Sequence, residues 1–407
     1  LTSSTLSRVL VAIVAIELAL TVMTGVSCRS KPEDWSRSRI AEPQIRVRVA
    51  GPAQTIPLAI DGPFSVFDAA QKKLGYGAYL PRTVLGLSSN AVKIGESEIP
   101  IEDYVDFVPE RKGSVQIDDR TYGGKVRLHR LSDGTLLAVN YVRVEEYLKG
   151  VLPAELPRTF AFETYKAQAI AARTYALYEK FSRPGDTRLY DVMASEGSQV
   201  YKGRDVQTSQ SDKAVDQTQG IVLVRDTPRG SKIFPAYFSS TCGGQTQPAR
   251  FLAAKAPDCP PLAGNVTCTT CVISPRHHWS ETRLSADELT QQLNARQNTN
   301  FQKVDQITVL EAFPYGRMTK VRVTDITGQS VDLPAERFRL IAGPRTMLST
   351  WCRIRKDGNI FVFYDGHGWG HGVGMCQWGA EGMARQGNTG VEILMHYFPK
   401  ANLVRAY

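Results

Sequence analysis

The stretch Val-Leu-Pro-Ala-Glu-Leu-Pro, residues 151–157, reads as a short turn before a long helix and holds one glutamate, Glu155, between Pro153 and Pro157. Each proline fixes its own φ, withholds an amide donor and restricts the residue before it, so the carboxyl is confined to few directions. A carboxyl placed that rigidly suits proton donation to a breaking bond and recovery of a proton afterwards. To stay protonated near neutral pH it needs a raised pKa. Burial beside Leu152, Leu156 and Phe160 would supply that, whereas the N-terminus of a following helix would favour the charged form. The same carboxylate would also serve as a plain helix cap, and the sequence leaves both roles open. A glycosidase that uses water needs a second carboxylate at a set distance. Glu145, Glu146, Asp191, Glu196 and Glu381 are available, and none is singled out by its setting.

Residues 365–387, DGHGWGHGVGMCQWGAEGMARQG, place glycine at 366, 368, 370, 372 and 374. Such a run lets backbone approach a ligand or another strand closely. His367 and His371 stand in it at helical spacing, but the glycines forbid a stable helix, and no HExxH glutamate accompanies them. A loop lining a cleft, with His371 bonded to substrate or backbone, fits better than a metal pair. Phe238–Thr246, FSSTCGGQT, reads as a strand followed by a turn or cleft wall. Arg173 falls inside a long helical pattern at the edge of its apolar face. Buried there, it would demand an acidic partner or an anionic ligand.

Six cysteines lie beyond the first thirty residues: Cys242, Cys259, Cys268, Cys271, Cys352 and Cys376. In an oxidising compartment all six are disulfide candidates. The first four, which include one CxxC, form an alternative structural zinc set, although a zinc site more often shows two tight knuckles. No catalytic metal or other cofactor is expected.

These groups need elements to hold them. The segment TFAFETYKAQAIAARTYALYEKF predicts a long helix with Phe162, Tyr165, Ala169, Ala172 and Ala176 on its buried face, Thr159 as cap and Arg183-Pro184-Gly185 as stop. Upstream, IRVRVAG, GPFSVFDA, KVRLHRL and TLLAVNYVRV alternate as half-buried strands do, with turns at Asp61-Gly62, Gly123-Gly124 and Asp133-Gly134. Downstream, GIVLVRD and KIFPAYFSS read as strands, 242–275 as an irregular cysteine-rich insertion, and SADELTQQLNAR as a helix capped by Ser285. Strands at 304–333 and a final helix, VEILMHYF, follow. Strands and helices mix without regular alternation, which predicts an α+β fold. The expected organisation is an N-terminal segment 1–28, a linker 29–44, a strand-rich region 45–138, and a domain 139–407 with the long helix and the glycine-rich loop.

At 407 residues and 42% hydrophobic, the chain has material for real cores. Its net charge of +9 suits an acidic partner, but Lys and Arg are dispersed and no zinc-finger or RNA-recognition spacing occurs, so nucleic acid is not expected. After Arg8 the run VLVAIVAIELALTVMTGV reads as an export signal or N-terminal membrane anchor, despite Glu17. Cys28 follows it as a candidate lipid attachment point, with Gly25 where a lipobox would place leucine.

Five stretches in order, VNYVRVEEYLKGVLPAELP, ETYKAQAIAARTYALYEK, QVYKG at 199–203, YFSSTCGGQT at 237–246 and the glycine-histidine segment from Gly366 to Pro399, resemble the SpoIID/LytB family of cell-wall proteins. The resemblance covers about residues 45–407. It implies an exported lytic transglycosylase that cleaves peptidoglycan glycan strands between N-acetylmuramic acid and N-acetylglucosamine without water, leaving 1,6-anhydro ends. It implies Glu155 as the acid/base, and Arg173, Gln199, Tyr201, Ser240, His371 and Gln377 as residues lining the groove. The family's "amidase enhancer" label implies a second role, a wall-binding modulator of other hydrolases. The chain departs from the pattern in three places. DVMASEGSQVY has Met193 and Ser198 where some members hold zinc through Cys and His-Cys. Cys376 replaces the usual serine, and with Cys352 would make an added disulfide. Ser239 stands where many relatives have histidine.

Overall fold

Alternation along Gln44–Ala53, Lys125–Arg130 and Leu136–Arg143 turns Ile45, Val47, Val126, Leu128 and Val142 inward. In the computed structural model these strands pair antiparallel, with Ile45 opposite Val142 and Leu128 opposite Ala138. The structure describes residues 34–37, 40–94, 96–110, 113–182, 187–252 and 257–407. The strands belong to a seven-stranded sheet whose order is Val192–Met193, Gln44–Ala53, Leu136–Arg143, Lys125–Arg130, Tyr104–Pro109, Phe64–Phe67 and Lys73–Gly77. A second sheet of six strands, built on Thr55–Asp61 and Leu80–Ser88, completes the strand-rich region.

Among the described residues there are seven α-helices: α1 Val144–Glu155, α2 Phe162–Phe181, α3 Ser209–Gln217, α4 Ala286–Gln297, α5 Ala335–Ala342, α6 Gln377–Arg385 and α7 Gly390–Tyr397. With several separate sheets they make an α+β protein, as the unordered mixture of patterns predicts. The helix α1 corrects one expectation, because VLPAELP is not a turn: Pro153 lies in the last helical turn and Glu155 is the last helical residue. Val144, Tyr147, Leu148, Val151 and Leu152 recur at helical steps and are all buried, and this outweighs the single hydrogen bond that Pro153 removes where the helix is about to end. The helix α2 follows the expected pattern, with Tyr165, Ala169, Ala172 and Ala176 buried. Its start is not held by Thr159. The Glu381 carboxylate reaches over from α6 and accepts the Ala161 amide at 2.7 Å and the Thr164 hydroxyl at 2.9 Å.

The boundary expected between residues 138 and 139 falls inside the strand Leu136–Arg143. One hydrophobic core runs through it, from Val47 and Leu128 in the sheet to Tyr147, Leu148, Ala172 and Tyr201. The expected linker is also tied down in its described part. Trp35 is fully buried, packs edge-on against Phe181 at 5.7 Å, and donates its amide to the Ser231 carbonyl at 2.9 Å.

Beyond the cysteine-rich loop, the strands His278–Ser285, Ile360–His367 and Arg353–Asp357 form one sheet, and Val304–Ala312, Met318–Asp325 and Ser330–Pro334 form another. With α4 and α5 they enclose their own core of Trp279, Leu293, Phe301, Val321, Phe338 and Phe363. Ser285 caps α4 as expected, accepting the Glu288 amide at 3.1 Å. The insertion expected at 242–275 is thus followed by a larger module with a separate core. The apolar run after Arg8 lies outside the described residues, as do Cys28 and the rest of segment 1–28. Among the described residues no helix is long and apolar enough to cross a membrane.

Candidate functional site

The last turn of α1 presents the Glu155 carboxyl to two other segments. Oε1 accepts the Val200 amide at 2.7 Å, and the Gln377 side-chain amide approaches Oε2 at 3.5 Å. The same Gln377 amide stands 3.4 Å from the Glu155 carbonyl oxygen. Burial pushes the Glu155 pKa above the ordinary carboxylate value, the Val200 and Gln377 hydrogen bonds oppose that, and the charge of exposed Glu196 adds to it. The helix end at Glu155 is a C-terminus, whose partial negative charge also disfavours the carboxylate. This is opposite to the influence expected from a following helix N-terminus.

The segment that supplies the Val200 amide is anchored on both sides. Gln199 is buried, its Oε1 accepting the Tyr147 hydroxyl at 2.9 Å and its Nε2 donating to the Ala172 carbonyl at 3.3 Å. Tyr201 is buried too, its hydroxyl 3.2 Å from Asn140 Oδ1 and its ring 4.9 Å from Tyr147. The Lys202 amide donates to the Gly150 carbonyl of α1 at 3.2 Å. Gln199 and Tyr201, expected to line a groove, are instead turned inward. Their work is to fix the backbone donor between them.

On the other side, the short strands Phe238–Ser239 and Met375–Cys376 run parallel, Phe238 beside Met375 and Ser239 beside Cys376. The Trp378 amide continues the contact, donating to the Ser240 carbonyl at 3.0 Å. This close approach explains Gly374, which has φ +70°, and where a Cβ would strike the Tyr237 carbonyl. The pairing sets Ser240, partly exposed, beside the segment whose buried Gln377 reaches Glu155. Trp378 rests edge-on against Phe160 at 4.9 Å.

His371 is partly buried. Its Nδ1 accepts the Val373 amide at 3.0 Å, which assigns the proton to Nε2. Burial pushes its pKa down to about 4, a hydrogen bond to the Phe238 backbone acting the other way. The imidazole is neutral near pH 7 and braces backbone on both sides. His367 is separate from it, stacked on Trp351 at 4.8 Å.

Arg173 is corrected outright. It is fully buried and bonded to Glu145 through Nε at 3.0 Å and through a terminal nitrogen at 2.7 Å, with the Ile221 carbonyl 3.1 Å away. The partner it demanded is a carboxylate of α1 and not a ligand. Three of the other candidate second carboxylates are similarly occupied, Asp191 by Arg46 at 2.7 Å, Glu146 by Arg204 at 2.8 Å, and Glu381 at the start of α2, whereas Glu196 is exposed and near enough for its charge to act on Glu155.

The cysteine expectations are corrected as well. None of the six described cysteines is disulfide-bonded, and all are buried. Cys352 sits in the core of the inserted module, its thiol 3.7 Å from the Ser349 carbonyl, and is not paired with Cys376. Cys376 lies with Cys242, Cys268 and Cys271, while Cys259 is outside that group.

Sequence patterns also missed a row of partly exposed rings that runs from the cysteine-rich segment into the module beyond it. Phe251 packs on Phe313 at 5.1 Å, Phe313 stacks on Tyr315 at 5.2 Å, and Tyr315 lies 4.7 Å from Trp351. These residues are scattered through 251–351, so no local periodicity marks them.

Residues 132–224 match the family model described as stage II sporulation protein (SpoIID), and residues 273–374 match a domain of unknown function (DUF8618). The first match contains Glu155 and the 199–201 anchor. The second covers most of the inserted module. An uncharacterized protein of Brachyspira hyodysenteriae is 30% identical over 368 residues, 88% of this chain and 92% of its own length. The stage II sporulation protein D of Bacillus amyloliquefaciens is 32% identical over 283 residues, 66% of this chain and 76% of its own. The amidase enhancer of Bacillus subtilis is 29% identical over 295 residues, 63% of this chain, which spans 40% of that protein's length.

Proposed function

The chain belongs to the SpoIID/LytB family, the stage II sporulation protein D group of cell-wall proteins, and from that premise we propose that it is a lytic transglycosylase in which Glu155 is the one acid and base. The observation that carries this reading is the asymmetric setting of the Glu155 carboxyl. Oε1 is engaged by a strong backbone donor, which leaves Oε2, with only the distant Gln377 amide near it, as the oxygen that bears the proton.

In the forward step the Oε2 proton passes to the glycosidic oxygen between N-acetylmuramic acid and N-acetylglucosamine, and the bond to the muramic acid C1 breaks. The carboxylate so formed takes the proton of the muramic acid 6-hydroxyl, whose oxygen closes on C1 as the 1,6-anhydro ring. One carboxyl acts twice, and no water is consumed. Such catalysis needs no second carboxylate beside Glu155, whereas an inverting or retaining hydrolase needs two. Export by the apolar segment after Arg8, with release or retention at the membrane, is part of the same proposal.

Digestion of purified glycan strands by the wild type and by Glu155→Gln tests it. Anhydro-muramic ends, read by mass spectrometry, are expected from the wild type alone. Equal yields from both proteins, or none from the wild type, reject the reading. Peptide-bearing and denuded strands run in parallel identify the substrate form. The name of the Bacillus subtilis relative favours a second reading, a wall-binding enhancer of an amidase. That role predicts stimulation of an added amidase by Glu155→Gln and wild type alike.

A further inference from the structure

We propose that Cys242, Cys268, Cys271 and Cys376 bind one zinc ion as a closed four-thiolate structural centre. Their sulfurs all lie within 4.8 Å of one another, and all four residues are buried. The Cys242 and Cys271 sulfurs are 3.8 Å apart. A disulfide requires about 2.05 Å, whereas a tetrahedron with zinc–sulfur bonds of about 2.3 Å has edges of about 3.8 Å.

The placement of the four residues follows from the fold. Cys268-Thr-Thr-Cys271 is a two-residue-spaced knuckle that runs into the short 3₁₀ turn Thr270–Ile273. Cys242 follows the strand Phe238–Ser239, and Cys376 ends the strand paired with it, immediately before α6. The second knuckle that the sequence lacks is thus assembled by strand pairing between residues far apart in the chain. Cys259, only nine residues from Cys268, is not part of it.

The surroundings suit thiolates. Cys376 Sγ accepts the Cys242 amide at 3.2 Å and the Gly379 amide at 3.3 Å, and the Tyr397 hydroxyl lies 2.9 Å from Cys268 Sγ. Such outer donors orient and stabilise metal-bound sulfur. A Cβ at residue 379 would collide with both Cys268 Sγ and the Tyr397 oxygen, so this face of the cluster admits only glycine. Charge gives a separate argument. Arg317 is fully buried and makes no ion pair with a carboxylate among the described residues; its one hydrogen bond shorter than 3 Å goes to the Cys242 carbonyl, at 2.6 Å. An isolated buried cation is costly. Four thiolates around one Zn²⁺ carry a net charge of minus two beside it, which supplies the missing counter-charge. Binding replaces four S–H bonds with four Zn–S bonds and releases four protons, with no change of oxidation state.

The centre is closed, so its role is to tie the 240s turn, the cysteine loop and the start of α6 together. It does not depend on the glycan reaction. The test is metal analysis of the full chain purified without chelator, combined with alkylation and intact-mass measurement. One zinc per chain is expected, with Cys242, Cys268, Cys271 and Cys376 all alkylated, like Cys259 and Cys352, in denaturant plus chelator without any reductant. Absence of zinc, or cysteines that alkylate only after reduction, overturns the proposal. Cys271→Ser and Cys376→Ser should lose the zinc, and Cys259→Ser and Cys352→Ser should keep it. If the first pair fails to fold, cobalt(II) added to metal-stripped wild type provides the same decision: thiolate-to-cobalt charge-transfer bands with strong tetrahedral d–d absorption are expected, and their absence overturns the site.

Discussion

Val200 donates its backbone amide to Glu155 Oε1 at 2.7 Å across a gap of 45 residues in sequence, which makes the carboxyl's orientation a property of the fold and not of its flanking prolines. Pro153→Ala should therefore leave glycan cleavage within about threefold of wild type. A loss of a hundredfold, measured as the rate of anhydro-end formation, would return the positioning role to the proline.

Gln377 offers its amide to the other oxygen. Replacing it by glutamate sets a second carboxylate against Glu155, and like charges at that range raise the pKa of the pair. The alkaline limb of the pH–rate profile of Gln377→Glu is expected to move to higher pH. Gln377→Ala should lower the rate by roughly 10-fold to 100-fold, in the range of one lost positioning contact, with the melting temperature close to wild type.

The buried Arg173–Glu145 pair predicts a stability effect and not a binding effect. Removing one partner leaves an uncompensated buried charge, so Arg173→Met should cost about 3–5 kcal/mol in chemical denaturation. Glycan affinity of the folded fraction should be unchanged. A large affinity loss at unchanged stability would restore Arg173 to the groove.

Two histidines, buried His129 and partly buried His371, set the response to acid. Burial holds both His129 and His371 down to about 4. The unfolded chain binds protons at these residues from about pH 6.5 downward while the folded chain does not, so stability falls as pH drops from about 6.5 to 4 and is fully present above that window. Each group accounts for at most about 3 kcal/mol. His129 Nε2 has no hydrogen-bond partner, so His129→Leu removes its share without orphaning another group. Denaturation midpoints across the window should flatten in this variant relative to wild type.

Trp35 fills a pocket against Phe181 with none of its surface exposed. Trp35→Ala is expected to cost about 3–5 kcal/mol, although it lies in a segment with the composition of a linker. An unchanged midpoint would mean that the segment is dispensable.

Local patterns carried much of this architecture. Strands such as Lys125–Arg130 and the helix α2 announce themselves through periods of two and of three to four residues. Glu155, Ser240 and Gln377 are legible because they sit in unusual local sequence. What local pattern cannot show is which distant group satisfies a buried one. Arg173 looks the same whether its carboxylate is on a ligand or on α1. Gln199 and Tyr201 flank the backbone amide that holds Glu155, so attention to side chains picked the two neighbours and missed Val200. The proline pair suggested a turn because the apolar period of α1 was not weighed against a single missing hydrogen bond. Cys376 could be joined to Cys242 only by knowing that two residue pairs meet in a parallel bridge.

That bridge of Phe238–Ser239 with Met375–Cys376 has an evolutionary reading. The polypeptide departs from the Glu155 half of the molecule and comes back to it at the same spot; within that excursion the cysteine loop packs against α6, whereas the module from His278 to His367 has a core of its own and ends that face each other in one sheet. Ancestral exchange, enlargement or deletion of that module needs no rearrangement at its base, and lineages are free to vary it while Glu155 keeps its surroundings.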